Sequence, residues 1–201
     1  YECYGIDGLR ALDATVDYIR MKYPEIFLIA DAKRGDIGNT AKMYAKAFFE
    51  EMDFDAVTIA PYMGADSVTP FLEYKDKWAI VLALTSNASA YQFQNAQKDG
   101  KPLYQAVMEE MMEISTPDNM MFVVGATKAD KLEELRSFCP DNFFLVPGVG
   151  AQGGSAEEVI AHGANDHGGL LINSSRGILF ADSTEDFAYY AGKVAARTAN
   201  L

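Results

Sequence analysis

Apolar residues along the chain fall into two patterns. Six short runs, at positions 26–30, 56–60, 78–84, 121–124, 143–146 and 169–172, are apolar at nearly every position. Strands buried on both faces read this way, whereas half-exposed strands alternate. Between the runs, apolar residues recur at helical spacing over 40–52, 68–74, 102–114, 128–137, 156–162 and 185–199. Strand and helix alternate with no break in composition, no linker and no low-complexity segment. That predicts one α/β domain over residues 1–201, with a parallel sheet and helical crossovers. The methionines at 108, 111, 112, 120 and 121 are expected in the core, on a helix that leads into a strand.

Polar and glycine-rich residues gather just after each run: DAKRGD, PYMGAD, TSN, GATKAD, PGVGAQGG and NSSRG. Six decorated strand ends fit a barrel whose loops share one face better than an open sheet with one crevice. A (β/α)₈ TIM barrel has eight strands and about 250 residues. Six strands in 201 residues therefore predict that two strands precede Tyr1 in the complete protein. The chain opens at Tyr1 without an initiator methionine or a signal-like segment.

Composition narrows the function classes. With 49% apolar and 23% charged residues, the chain is neither disordered nor fibrous. No apolar run has the roughly 18 residues of a membrane helix, so no membrane partner is expected. The net charge of −12 argues against nucleic acid, and an anionic substrate would need a local positive site. Two cysteines, Cys3 and Cys139, are expected as reduced thiols in a cytoplasmic protein. No Cys/His spacing suggests a metal, and His162 and His167 are expected at the surface.

The sharpest chemistry lies at Asp31-Ala32-Lys33-Arg34-Gly35-Asp36. Residues two apart on a strand share a face, so Asp31 and Lys33 would lie roughly 6–7 Å apart at their Cα atoms, with head groups in reach. Buried together, the carboxylate would keep the lysine a cation and proton donor. The alternative is a plain ion pair at a strand end; two further charges, Arg34 and Asp36, weigh against it. Backbone N–H groups of the turn Pro147-Gly148-Val149-Gly150-Ala151-Gln152-Gly153-Gly154-Ser155 suit a phosphate. So does the guanidinium in Asn173-Ser174-Ser175-Arg176-Gly177. Thr85, Ser86 and Asn87 could read a polar heterocycle or cap the next helix. Residues 89–101 could form part of a lid or an ordinary surface loop. Lys128 and Asp130 are expected to start a solvated helix.

At Asp31–Thr40 the sequence DAKRGDIGNT resembles the orotidine 5′-phosphate decarboxylases, in their longer bacterial subgroup. The D-x-K-x-x-D pattern alone belongs to a wider suprafamily of phosphosugar barrels. The ordered set LTSN at 84–87, GATKAD at 125–130, PGVGAQGG at 147–154 and NSSRGILFA at 173–181 makes the resemblance specific. The opening YECYGIDG resembles the segment after the family's second strand.

The resemblance implies cofactor-free decarboxylation of orotidine 5′-phosphate to uridine 5′-phosphate in de novo pyrimidine synthesis. It implies Lys33 as proton donor to C6 and Asp31 as the carboxylate beside the substrate carboxylate. Asp36 and Thr40 would be contributed across a homodimer interface. Ser86 would bond the pyrimidine edge, Gln152 would bridge base and phosphate, and Arg176 with the Gly153 and Gly154 backbone would hold the phosphate. The family's other lysine and aspartate, at its second and first strand ends, would lie ahead of Tyr1. Two rivals share these features: a magnesium-dependent decarboxylase or aldolase of keto-sugar phosphates, and a non-catalytic phosphate-ligand-binding barrel.

Overall fold

The computed structural model of the protein describes residues 1–126, 129–149 and 154–199. Eight strands are described: β1 (Ile29–Arg34), β2 (Ala56–Ile59), β3 (Trp78–Leu84), β4 (Gln97–Lys98), β5 (Lys101–Pro102), β6 (Met120–Val124), β7 (Phe144–Pro147) and β8 (Leu170–Asn173). The helices are α1 (Gly5–Lys22), α2 (Gly38–Lys46), α3 (Thr69–Leu72), α4 (Leu103–Glu113), α5 (Ala129–Phe138), α6 (Ala156–Gly163), α7 (Arg176–Leu179) and α8 (Phe187–Thr198). Six strands make one sheet in the order β1-β2-β3-β6-β7-β8, and β4 pairs with β5 alone. β1–β2, β2–β3, β6–β7 and β7–β8 are parallel. This is the expected α/β architecture, a parallel sheet of the (β/α)-barrel kind with helical crossovers.

By packing, the chain divides into two compact units. Residues 1–81 with 118–120 form one, and residues 82–117 with 121–201 form the other. In the first, β2 is buried at every position, as its unbroken apolar run requires. α2 turns Ala41 and Ala45 inward, four residues apart on one face. Its last turn widens to i→i+5 bonding over Ala47–Glu51, with Phe48 and Phe49 both buried. α1 was not anticipated. It buries only Gly8 and Val16, and Arg20 near its C-terminus pairs with Asp55 at 2.8 Å and donates to the Asp53 carbonyl at 3.0 Å.

In the second unit, β6 is buried throughout, and Met108, Met111, Met120 and Met121 lie in the core as expected. Ser155 caps α6, its Oγ accepting from the Glu158 N–H at 3.2 Å. The Arg136 guanidinium lies 4.0 Å from the Phe144 ring centre. It donates to five carbonyls, those of Cys139, Pro140, Asn142, Gly163 and Gly169, at 2.7–3.1 Å.

Two expectations need correcting. The first strand runs Ile29–Arg34, not 26–30, and Ile26 and Phe27 are exposed. The helix expected over 68–74 contracts to α3, Thr69–Leu72, entered through Pro70.

Candidate active site

β1 carries the lysine–carboxylate pair at its C-terminal end. Lys33 Nζ donates to Asp31 Oδ1 at 2.5 Å, so the head groups meet as the two-residue spacing predicted. The expected burial is absent: the side chains are 52% and 55% exposed. β1 is the first strand in the sheet order, so no further described strand covers its outer edge.

The pair is not held by strand geometry alone. Ala30 lies opposite Val57 and Arg34 opposite Ile59, so four steps along β1 match two along β2. Within that bulge Lys33 has φ +47°, uncommon for a residue with a side chain. The Lys33 N–H donates to Thr58 Oγ1 at 2.9 Å, and Thr58 Oγ1 donates to Asp31 Oδ1 at 3.0 Å. Thr58 is fully buried. Sequence reading passed over it; the available signal was a lone hydroxyl inside an apolar strand, which must find partners.

The four-charge run separates by role. Arg34 pairs with Glu2, and its guanidinium lies 5.4 Å from the ring centres of Tyr44 and Phe48. It fastens the start of the chain and α2 to β1. Asp36 Oδ1 accepts from the next backbone N–H, that of Ile37, at 2.8 Å. Thr40 is exposed in the first turn of α2.

The second unit holds the other candidates. Ser86 is half-buried just past β3, against Gly125, whose N–H donates to the Leu84 carbonyl at 2.8 Å. Gln94, another residue sequence reading missed, ties down this strand end. Its Oε1 accepts from the Thr85 N–H at 2.9 Å and its Nε2 donates to Thr85 Oγ1 at 2.8 Å. Asn87 precedes a short 3₁₀ turn, Ala88–Gln92, without a side-chain capping bond, so capping does not account for that polar cluster. The stretch expected as a lid or surface loop contains this turn and the β4–β5 hairpin, with Asp99 and Gly100 both at positive φ.

Gly154 pairs with Val149 in an isolated bridge, and a Cβ there would lie 2.6 Å from that of Ala126. Gln152 and Gly153 lie outside the described residues, as does Lys128. Arg176 is exposed as the first residue of α7.

Among the described residues no group of three or more His, Cys, Asp or Glu could hold a metal ion. His162 and His167 are exposed, His162 beside Glu133 at 3.3 Å. No described helix is long and apolar enough to cross a membrane. Cys3 is exposed and Cys139 buried, and burial pushes the Cys139 thiol up to about 12.

Parallel strands with polar residues at their C-terminal ends, served by helical crossovers, define a (β/α)-barrel type of protein whose chemistry sits at strand ends. Within that class the chain belongs to the orotidine 5′-phosphate decarboxylase / HUMPS family, whose pattern matches residues 4–188. It is 55% identical over 192 residues to an orotidine 5′-phosphate decarboxylase of Christiangramia forsetii, covering 96% of this chain and 71% of that one. The corresponding protein of Phocaeicola vulgatus is 54% identical over 196 residues, covering 97% and 72%. The solved structure of Leishmania donovani OMP decarboxylase superposes with a TM-score of 0.85 at 35% identity, covering 99% of this chain and 76% of that one.

Proposed function

We propose that this protein decarboxylates orotidine 5′-phosphate to uridine 5′-phosphate, and that Lys33 delivers the proton to C6. The observation that carries the reading is the Asp31–Lys33 contact at 2.5 Å, in a chain more than half identical to proteins named for this reaction. In the reaction the bond from C6 to the carboxylate carbon breaks, the electron pair stays on C6, and CO₂ leaves. A proton passes from Lys33 Nζ to C6, and the amine regains one from solvent. The ring offers no position to delocalise that pair, so an oriented ammonium beside the developing charge is the main source of stabilisation. Asp31 orients the ammonium and stands beside the departing carboxylate.

The remaining roles follow the family likeness. Ser86 bonds the pyrimidine edge. Gln152 bridges base and phosphate, and Arg176 with the Gly153 and Gly154 backbone holds the phosphate, a cationic site in a chain of net charge −12. Asp36 and Thr40 act across a homodimer interface in a cytoplasmic, cofactor-free enzyme. Exposed Ile37, Met43, Tyr62 and Met63 in the same unit supply apolar surface suited to such an interface.

The test follows loss of the orotidylate chromophore and release of CO₂ by the intact protein, with and without EDTA. The expected result is turnover that EDTA does not change and that Lys33→Ala abolishes, while uridine 5′-phosphate still binds. Turnover retained by Lys33→Ala rejects Lys33 as the donor. No loss of the orotidylate chromophore, with EDTA-sensitive turnover of a keto-sugar phosphate instead, favours the magnesium-dependent relative, and binding without CO₂ release favours a non-catalytic barrel.

A further inference from the structure

We propose that Thr58 is the positioning residue that aims the Lys33 ammonium; what the ammonium does once aimed rests on the decarboxylase reading above. A regular strand would carry Asp31 and Lys33 outward side by side, with the lysine free to sample many rotamers. β1 is not regular here. Two extra residues fall between the Ala30–Val57 and Arg34–Ile59 pairings, which leaves the Lys33 N–H without a ladder partner on β2. A hydroxyl takes that place. Thr58 Oγ1 accepts the Lys33 N–H at 2.9 Å, and its own hydrogen goes to Asp31 Oδ1 at 3.0 Å. The alternative acceptor, the Ala30 carbonyl, is farther away at 3.5 Å.

One buried atom therefore sets both members of the pair. Through the backbone it holds Lys33 in its left-handed conformation at φ +47°. Through the carboxylate it fixes the oxygen on which the ammonium rests at 2.5 Å. A hydroxyl can donate once while accepting, which is the combination needed at this point. Valine would fill the same space and provide neither bond, leaving a buried amide and a carboxylate oxygen short of partners. Thr58 is fully buried in β2, so it touches no substrate and acts only through the pair. A preformed donor direction costs no reorganisation during the reaction, which is where such a residue contributes.

The experiment compares Thr58→Val, Thr58→Ala and Thr58→Ser in the intact protein by kinetics, thermal melting and crystallography. Loss of one hydrogen bond to a charged group should lower kcat about ten- to hundredfold in the valine and alanine variants. KM should change by less than about twofold, since the phosphate and base contacts are untouched. Serine keeps the hydroxyl and should recover most of the rate even if it melts earlier. In the valine or alanine structure Lys33 should return to negative φ and its Nζ should leave Asp31 Oδ1. The proposal is overturned if either variant keeps the wild-type kcat, if serine fails to recover the rate, or if Lys33 keeps its conformation and contact without the hydroxyl. Absence of decarboxylation by the unaltered protein would instead reject the decarboxylase reading; the Lys33 geometry in the variants would still decide the role of Thr58.

Discussion

Gly125 stands so close to Ser86 that a side-chain carbon on it would lie 2.8 Å from both the Cβ and the backbone nitrogen of that serine. Real side chains do not approach so closely, and the atoms in the way are backbone and Cβ, which cannot swing aside. Gly125→Ala must therefore push the end of β3 and Ser86 out of place. The expected result is a folded protein, destabilised by about 1–3 kcal/mol, that binds uridine 5′-phosphate about tenfold more weakly. Calorimetric titration checks the affinity and urea melting the stability. Wild-type affinity would remove Ser86 from the substrate site.

Arg176→Ala should act on binding. The residue is exposed at the start of α7, so its loss should leave the melting temperature nearly unchanged. If it holds the phosphate, KM for orotidine 5′-phosphate rises while kcat changes less, and inorganic phosphate ceases to compete. An unchanged KM counts against that role.

The two cysteines should differ in reactivity. Cys139 is buried, its Sγ donates to the Leu135 carbonyl at 3.2 Å, and burial pushes its thiol up to about 12. Because this lies above the ordinary value of 9.0, keeping the thiol neutral stabilises the fold fully below about pH 9. That contribution is lost as pH rises through the folded value. At pH 8 an aromatic disulfide reagent should titrate one thiol per native chain, Cys3, and two in denaturant. Two rapidly reacting thiols in the native protein would contradict the buried setting.

Arg136→Met should cost about 2–3 kcal/mol, because five carbonyls lose their common charged donor and the replacement supplies none. Urea denaturation measures the loss, which should appear with kcat per folded molecule unchanged. A loss below about 0.5 kcal/mol, the usual range for surface substitutions, would show that water replaces the guanidinium without penalty.

Much of the fold is legible in the chain because fully buried strands cannot contain many polar residues. β2, β3, β6, β7 and β8 appear where the apolar runs stand. β1 was misplaced for the complementary reason: it begins the sheet order, tolerates exposed Asp31 and Lys33, and follows apolar Ile26 and Phe27 that lie outside it. α1 escaped notice because it buries only Gly8 and Val16, too narrow a stripe to announce a helix. The β4–β5 hairpin did carry a signal, Asp99-Gly100, the usual pair for a tight turn with both φ positive. Within the site, the spacing of Asp31 and Lys33 revealed their contact. Nothing in spacing revealed the bulge that brings Thr58 between them, since a register shift is a property of two strands together.

The Arg136 cluster has a consequence for how this protein can change over generations. The carbonyls it gathers lie around the entrances to β7 and β8, whereas Gly148, Gly154 and Arg176 follow the exits of those strands. Anchorage and the phosphate-holding residues proposed above thus lie at opposite ends of the same strands. On that proposal, substitutions at the exits alter what is bound without drawing on the Arg136 hydrogen bonds at the entrances. Loss of the arginine would instead narrow the range of exit-loop variants that still fold.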